Sequence, residues 1–579
     1  MYTDDKATQI LIALLKEYNI KNIVISPGTR NYGFAISVQN DNFFNVYSVI
    51  DERSAAYFAS GLAYETDAPV VIACTGATAS RNYLPALTEA YYRKLPIIAL
   101  TCGHEYASAY SLTPQYTDRS VSQNDVKICS LTLPHIADKQ SEKQCELFCN
   151  VALSKATAKV PGPVHINLLS LSYSVNTQTL PDVNKITSYC TEDLFDEKTT
   201  KKLAKKLENK NIGIFIGSHR KMSKYLSEAI NSFVNTFETV VFCDHTSNYT
   251  GRNKVLVGQA FDTKRLSSLP DIIIDIGGIC GQYSVSGLFR NGEIWRISED
   301  GEIKQRYGVI KNFFNCMEET FFLTLSKYSS NKSRHEYNRK VAHEIGKIET
   351  GELAFSNTYI SSILSQKLPQ NSSLHLSVLN SLRNMNLFTL DTSISSICNV
   401  GGFGIDGPVS TLTGQSMADK NRLYFGLIGD LAFFYDMNIL GNRHIGNNLR
   451  IVLINNNIGA EFRLNSLLKE NVNAFVAAAG HNGSAKGWAE SVGFHYMSAS
   501  DKEEFSAQID EFCSSDINHF GKPVLFEIFT TPEDEVSAYR KLCGVSSQNS
   551  AKKCSGLIKA VSCLIPDKQK RREFRKKHS

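Results

Sequence analysis

Short apolar runs alternating with amphipathic stretches of ten or more residues constrain this chain more than any other feature. Such alternation needs crossover connections, and crossovers build parallel sheets covered by helices on both faces. Four runs stand in the first 175 residues: Asn22 to Ser26, Ala68 to Cys74, Leu95 to Leu100 and Pro163 to Asn167. Thr8 to Glu17 and Asn82 to Arg93 carry apolar residues at helical spacing. Ile212 to Ile216, Val240 to Cys243, Asp271 to Asp275 and Glu293 to Ile297 form a second set. Ser373 to Ser377, Leu423 to Ile428, Leu449 to Ile454 and Val524 to Ile528 form a third. The pattern predicts an α/β fold of three consecutive doubly wound parallel-sheet domains, over 1–175, 190–330 and 340–535. Polar stretches at Ser174–Lys198 and Lys327–Glu336 mark the joints, and a basic tail follows over 545–579.

The length of 579 residues accommodates three large domains, and 42% apolar residues supply their cores. No apolar run reaches the ~18 residues that span a bilayer. The first residues lack a cationic stretch followed by an apolar one, so no secretory leader is expected. The 14 cysteines are scattered without a Cys-x-x-Cys pair, which argues against a disulfide scaffold or a zinc site and for a reducing, cytoplasmic setting. The net charge of +5 is concentrated in the tail. From Ala551 onward ten Lys and Arg face only Asp567 and Glu573, a balance of +8 that leaves −3 for the other 550 residues. A mildly acidic body argues against a nucleic-acid partner. The tail reads either as a frayed terminus or as a peripheral contact with anionic lipid at the inner face of a membrane.

Chemistry gathers at two strand ends. Leu423 to Ile428 runs into Gly429-Asp430, and Leu449 to Ile454 runs into Asn455-Asn456-Asn457, then Ile458-Gly459. In a parallel sheet both ends emerge at the carboxyl edge, where ligands bind. An Asp, an Asn amide oxygen and a backbone carbonyl make a hard oxygen set suited to Mg²⁺ on a phosphate. A helix expected over Leu431 to Leu440 would turn its free amides toward a diphosphate. In the first unit, Asp51-Glu52-Arg53-Ser54 opens a helix with an acidic first turn, which by itself only complements the helix dipole. The next strand ends in Cys74-Thr75-Gly76-Ala77-Thr78-Ala79, with a helix from about Asn82.

Together these segments resemble thiamine-diphosphate-dependent enzymes of the pyruvate-oxidase and acetolactate-synthase kind, over most of residues 1 to ~535. The resemblance is closest to the menaquinone-pathway synthases that join a succinyl-semialdehyde unit from 2-oxoglutarate to isochorismate. Ser26-Pro27-Gly28-Thr29-Arg30, Asn380-Ser381, Gly404-Ile405-Asp406-Gly407 and Gly429-Asp430-Leu431 carry that likeness. It implies pyrimidine-binding, central and diphosphate-binding domains in that order. It implies thiamine diphosphate and Mg²⁺ as cofactors, and a carboligase or decarboxylase working on a 2-oxo acid through a C2 ylide and an enamine. Glu52 then takes the catalytic carboxylate position. Thr75, Asn82, Phe403, Gly429, Leu431, Ala432 and Gly459 line the cofactor, Asn380 and Ser381 donate to its diphosphate, and Ile405 wedges it bent. Asp430, Asn456 and the Ile458 carbonyl hold the metal. Gln123 and Arg30 line the reacting centre, and Thr29, Arg30, Arg383 and Phe462 face substrate. The resemblance also implies a homodimer or homotetramer with active sites shared between subunits.

The chain departs from that branch where substrate cations are expected. The central segment Gly277 to Gln282 has no cation, Val400 and Met385 stand where Arg is usual, and Glu461 fills a usually apolar position. The departures predict a different substrate on the same chemistry, for example in cell-surface polysaccharide synthesis. The alternatives left open are a genuine synthase of the menaquinone branch and a cofactor-binding scaffold without catalysis. His104-Glu105 and His481 are weaker acid–base candidates. Gly213 to Gly217 lacks the full Gly-x-Gly-x-x-Gly fingerprint, so FAD is not expected.

Overall fold

The computed structural model describes residues 1–543 except 105, 118–122, 159, 170–171, 184, 186–196, 264, 301–305, 308–309, 315, 329–335, 347–351 and 465–479. The basic tail and Glu105 therefore lie outside the described residues.

The first sheet comprises β1 (Asn22–Ile25), β2 (Asn45–Ser48), β3 (Val70–Thr75), β4 (Ile97–Cys102), β5 (Cys129–Thr132) and β6 (Val164–Leu168), in the order β2-β1-β3-β4-β6-β5. The second comprises β7 (Ile212–Ile216), β8 (Val240–Cys243), β9 (Lys254–Leu256), β10 (Ile272–Ile276), β11 (Glu293–Ile297) and β12 (Ile310–Phe314), in the order β12-β11-β10-β7-β8-β9. The third comprises β13 (Ser373–Leu376), β14 (Ser395–Cys398), β15 (Tyr424–Gly429), β16 (Leu449–Asn455), β17 (His495–Ala499) and β18 (Val524–Phe529), in the order β14-β13-β15-β16-β18-β17. Every strand pairing in the three sheets is parallel. The α/β fold with three parallel sheets is the expected one. Central strands such as β16 are buried along their whole length because helices cover both faces.

Each sheet winds outward on one side of its first strand and then crosses to the other. In the third sheet the reversal falls between β13 and β15, which directs a crevice to their carboxyl ends. Ser377, Gly429 and Asn456 follow directly on β13, end β15 and follow β16, so the fold alone brings the predicted Gly429 and Asn456 together, with Ser377 beside them.

The first and third units are locked by helix contact. Glu52–Thr66 crosses Pro408–Ser416 so closely that a Cβ on Gly61 would stand 1.9 Å from the Thr411 carbonyl oxygen. A Cβ on Gly414 would stand 1.8 Å from the Phe58 carbonyl oxygen. Glu65 fastens the far end of this crossing. Its carboxylate accepts from Gln415 at 2.7 Å, Ser373 at 3.1 Å and Arg422 at 3.1 Å. Among the described residues no helix is long and apolar enough to cross a membrane.

Candidate active site

Asp430 is the hub of the third sheet's carboxyl edge. It opens the helix Asp430–Asp436 and is 3% exposed. Its Oδ2 accepts from the backbone amides of Asn456 at 3.0 Å and Asn457 at 2.7 Å, and Oδ1 accepts from Leu431 N–H at 2.7 Å. These bonds tie β15 to the loop after β16 and orient the carboxylate. Asn457 holds φ +62°, a left-handed conformation that Asn tolerates, and this turns the triple-Asn loop over the edge. The Asn456 side-chain oxygen accepts from Ile458 N–H at 3.2 Å. His481 Nε2 lies 3.0 Å from Asp430 Oδ2, while its Nδ1 accepts from Gly483 N–H at 3.2 Å. That second bond fixes the proton on Nε2, so His481 donates to Asp430.

The edge fits a diphosphate held by a hard cation. The oxygens present are a carboxylate, an amide oxygen and the Ile458 carbonyl, the donor class that Mg²⁺ prefers. A Cβ placed on Gly429 would meet nothing within 4 Å, so the cradle in front of the helix is open. Gly429 N–H donates to Ser377 Oγ at 3.2 Å, and Ser377 Oγ donates to Ser381 Oγ at 3.1 Å, which brings Ser381 to the same edge. Leu431 is half-buried, Ala432 is buried, Gly459 borders the loop, and Phe462 packs on Ile458 and Ala460. Glu535 lies behind Asn456, and burial pushes its carboxyl up to about 7.

Asn380 is engaged differently from the expectation. Its amide nitrogen donates to Glu461 Oε2 at 2.8 Å, and its amide oxygen accepts from Glu461 N–H at 3.1 Å. Glu461 in turn is ion-paired with Arg383. Burial raises the Glu461 carboxyl pKa, and Arg383 opposes that rise. Arg383 stacks over the Tyr283 ring, 4.0 Å from its centroid, and its Nε faces the Gly281 carbonyl oxygen at 3.4 Å. The central segment thus offers a ring and a carbonyl to Arg383. Tyr283 stacks on Phe403, with centroids 6.2 Å apart and planes 17° apart. Phe403 at φ +57° and Leu379 at φ +68° hold conformations that side chains avoid, and both flank this corner. Ile405 packs between the first-unit core and the third-unit core.

The first-unit residues form a separate group. Glu52 begins its helix, with Asp51 capping it by accepting from Ser54 N–H at 2.9 Å. Asp51 also accepts from Asn438 at 2.9 Å, and Arg53 lies over Tyr435 at 4.6 Å. Within one chain Glu52 therefore stands by the C-terminal end of the helix whose N-terminus is Asp430. Beside it Ile50 is 81% exposed. Thr75 packs against Gly28, where a Cβ would meet Thr75 Cγ2 at 2.2 Å, so only glycine passes there. Arg30 lies in the Thr29–Asn31 turn with a buried Nη1 that has no partner among the described residues. Asn82, Thr29 and Gln123 are exposed.

A cavity of about 360 Å³ sits instead at the second sheet's winding reversal, near Arg220, Arg296 and Arg306. Its cations face carboxylates already: Arg220 lies 3.7 Å from Glu299, while Arg296 and Arg306 each lie 3.4 Å from Asp275. Three guanidiniums thus share two carboxylates on this floor.

Residues 5–129 match the family described as "Thiamine pyrophosphate enzyme, N-terminal TPP binding domain". The chain is 30% identical over 555 residues to the 2-succinyl-5-enolpyruvyl-6-hydroxy-3-cyclohexene-1-carboxylate synthase of Phocaeicola vulgatus, covering 93% of this chain and 98% of that one. It is 31% identical to the Bacteroides fragilis enzyme of the same name, over 92% and 97% of the two chains. Among solved structures, benzoylformate decarboxylase from Polynucleobacter necessarius superposes with a TM-score of 0.72 at 15% identity, over 92% of this chain and 99% of that one. The last likeness concerns the fold; the full-length likeness to the synthases concerns descent. The chain belongs to the thiamine-diphosphate-dependent enzyme family, on the branch of these carboxylate synthases.

Proposed function

We propose that the protein is a Mg²⁺-dependent carboligase that transfers the decarboxylated residue of a 2-oxo acid to a carboxylate-bearing acceptor, the reaction class for which its relatives are named. The observation that carries this is end-to-end similarity to those synthases together with an ordered Gly429-Asp430-Asn456-Ile458 edge. Thiamine diphosphate supplies a carbanion-stabilising ring when bound. Asp430, Asn456 and the Ile458 carbonyl would hold Mg²⁺, with Ser381 and the open face of Gly429 toward the diphosphate. Ile405 would press on the ring system, and Glu52 would hold a proton on its pyrimidine nitrogen. Arg30 and Arg383 supply the cations for substrate carboxylates.

Glu52 and Asp430 lie apart in one chain, so the working site takes Glu52 from a second copy. Exposed Ile50 beside Glu52 supports that reading.

The test is CO₂ release from 2-oxoglutarate, with and without isochorismate, at saturating Mg²⁺ and thiamine diphosphate. Release by the wild type should fall at least about a hundredfold in Glu52→Gln, with cofactor affinity retained. A second reading, a donor other than 2-oxoglutarate, is favoured by one feature: Arg383 is already ion-paired with Glu461. Pyruvate consumption without 2-oxoglutarate consumption would select it.

A further inference from the structure

Arg383 enters the site with a spare donor. The residue is 8% exposed, and its Nη2 is buried with no hydrogen-bond partner among the described residues. Nη1 is taken by Glu461, and Nε faces Gly281. The Tyr283 ring under the guanidinium, itself stacked on Phe403, fixes the plane of the fork. Gly281 is part of the same fixture. A Cβ there would meet Leu382 Cδ2 at 2.3 Å, so glycine lets the segment close on the Asn380–Met385 helix.

A guanidinium fork matches a carboxylate with two parallel N–H bonds. Here one prong is occupied by a carboxylate of the chain itself and the other is unused. An unused N–H in a buried site costs free energy that an incoming acceptor removes. Glu461 is also held from the other side, because Asn380 bonds both its carboxylate and its backbone N–H. It stands three residues after Ile458, so the pair borders the cofactor edge.

We propose that Glu461 is a specificity-determining residue, the resident counter-charge of a carboxylate subsite on Arg383. This rests on reading the edge as the active site of a 2-oxo-acid carboligase. Without substrate the pair is neutral, which is how a buried cation is tolerated. A substrate carboxylate takes Nη2 and meets Glu461 as a like charge, so it binds by sharing Arg383 or by displacing Glu461. Glu461 thereby sets how strongly the site holds a second carboxylate, and disfavours dicarboxylates relative to donors such as pyruvate. The Gly277–Gln282 segment, lacking cations, contributes by holding Arg383 in place.

The experiment is a titration of the cofactor-loaded protein with glutarate, an unreactive dicarboxylate, read by thermal shift. Glu461→Gln keeps one oxygen acceptor for Arg383, replaces the oxygen facing Asn380 by an amide nitrogen, and removes the charge. It should bind glutarate roughly tenfold more tightly than the wild type. Arg383→Met/Glu461→Gln, which removes both charges of the pair and leaves the buried Asp262 carboxylate to its bond from Gln282, should lose that gain. Unchanged or weaker binding by Glu461→Gln overturns the proposal, as does a double variant that binds as tightly as Glu461→Gln. In turnover, Glu461→Gln should lower KM for the substrate that carries a second carboxylate and leave the pyruvate KM unchanged. A fall for 2-oxoglutarate assigns the subsite to the donor; a fall for isochorismate assigns it to the acceptor. Absence of turnover with every 2-oxo acid would remove the carboligase reading and leave the glutarate titration to decide on Glu461.

Discussion

Glu89 ties a titratable group to the loop that carries Phe403 and Ile405. It is buried, and its Oε2 accepts from Gly402 N–H at 2.6 Å, with Arg93 at 3.8 Å. Burial pushes its carboxyl from 4.5 up to about 7, against the pull of Arg93 and the Gly402 amide. The folded chain therefore favours the acid form. That stabilisation is complete below pH 4.5 and is lost as pH rises through about 7. Glu89→Gln keeps an acceptor for Gly402 and cannot ionise. Its unfolding free energy should fall less between pH 5 and pH 8 than that of the wild type, by roughly 1–3 kcal/mol. Denaturant unfolding at the two pH values measures this; equal slopes would mean that Glu89 ionises freely in the fold. At this scale the sequence was legible where chemistry is local. Asp430, Asn456 and Ile458 could be read because strand ends and a crossover put them on one edge. Tyr283, Ser377 and Glu535 could not, because each reaches the edge from a distant segment and has no local signature. His481 was visible only as a histidine, and its bond to Asp430 spans 51 residues.

At the scale of elements, legibility followed burial. Asn45–Ser48, Cys129–Thr132, Lys254–Leu256, Ile310–Phe314, Ser395–Cys398 and His495–Ala499 were not read from the sequence, and they are the six edge strands. An edge strand has one unpaired side and a partly solvated face, so it is short and mixed in composition. Central strands are buried on both faces and read as continuous apolar runs. Helix ends slipped for local reasons. The stretch expected to run unbroken from Leu431 to Leu440 changes at Met437 into a tighter turn over Met437–Gly441. The crossing of Glu52–Thr66 with Pro408–Ser416 had no periodic signal beyond its glycines. It makes a sharp prediction, because Gly→Ala inside a helix ordinarily stabilises by up to ~1 kcal/mol. Gly414→Ala should instead destabilise by roughly 2–3 kcal/mol, since the new Cβ meets backbone that cannot give way. Chemical denaturation reads the difference, and a neutral or stabilising result would mean the two helices can separate at little cost.

At the scale of the whole molecule, the three sheets were legible in the residues themselves, whereas the shared assembly was expected only through the family resemblance. Parallel α/β units declare themselves through alternation, whereas an active site shared between copies leaves no pattern in one chain. The geometry nonetheless argues for sharing. Glu52 and Asp430 stand at opposite ends of the helix Asp430–Asp436, with Asn438 bonded to Asp51 at one end and the open Gly429 cradle at the other. A cofactor spanning from its diphosphate to its pyrimidine cannot use both from the same copy if the helix separates them. Two inactive variants then complement each other. In a mixed dimer of Glu52→Gln with Asp430→Ala, one site draws Glu52 from the second chain and Asp430 from the first, and is intact. Its twin carries both lesions. Random exchange makes half the dimers mixed, so equal amounts of the two variants, unfolded and refolded together, should recover about a quarter of the wild-type activity per site. Neither variant refolded alone should recover any. If the mixture stays inactive although mass measurement finds mixed dimers, both residues serve one site within one chain, and the intact site must be assembled by movement of the first unit against the third.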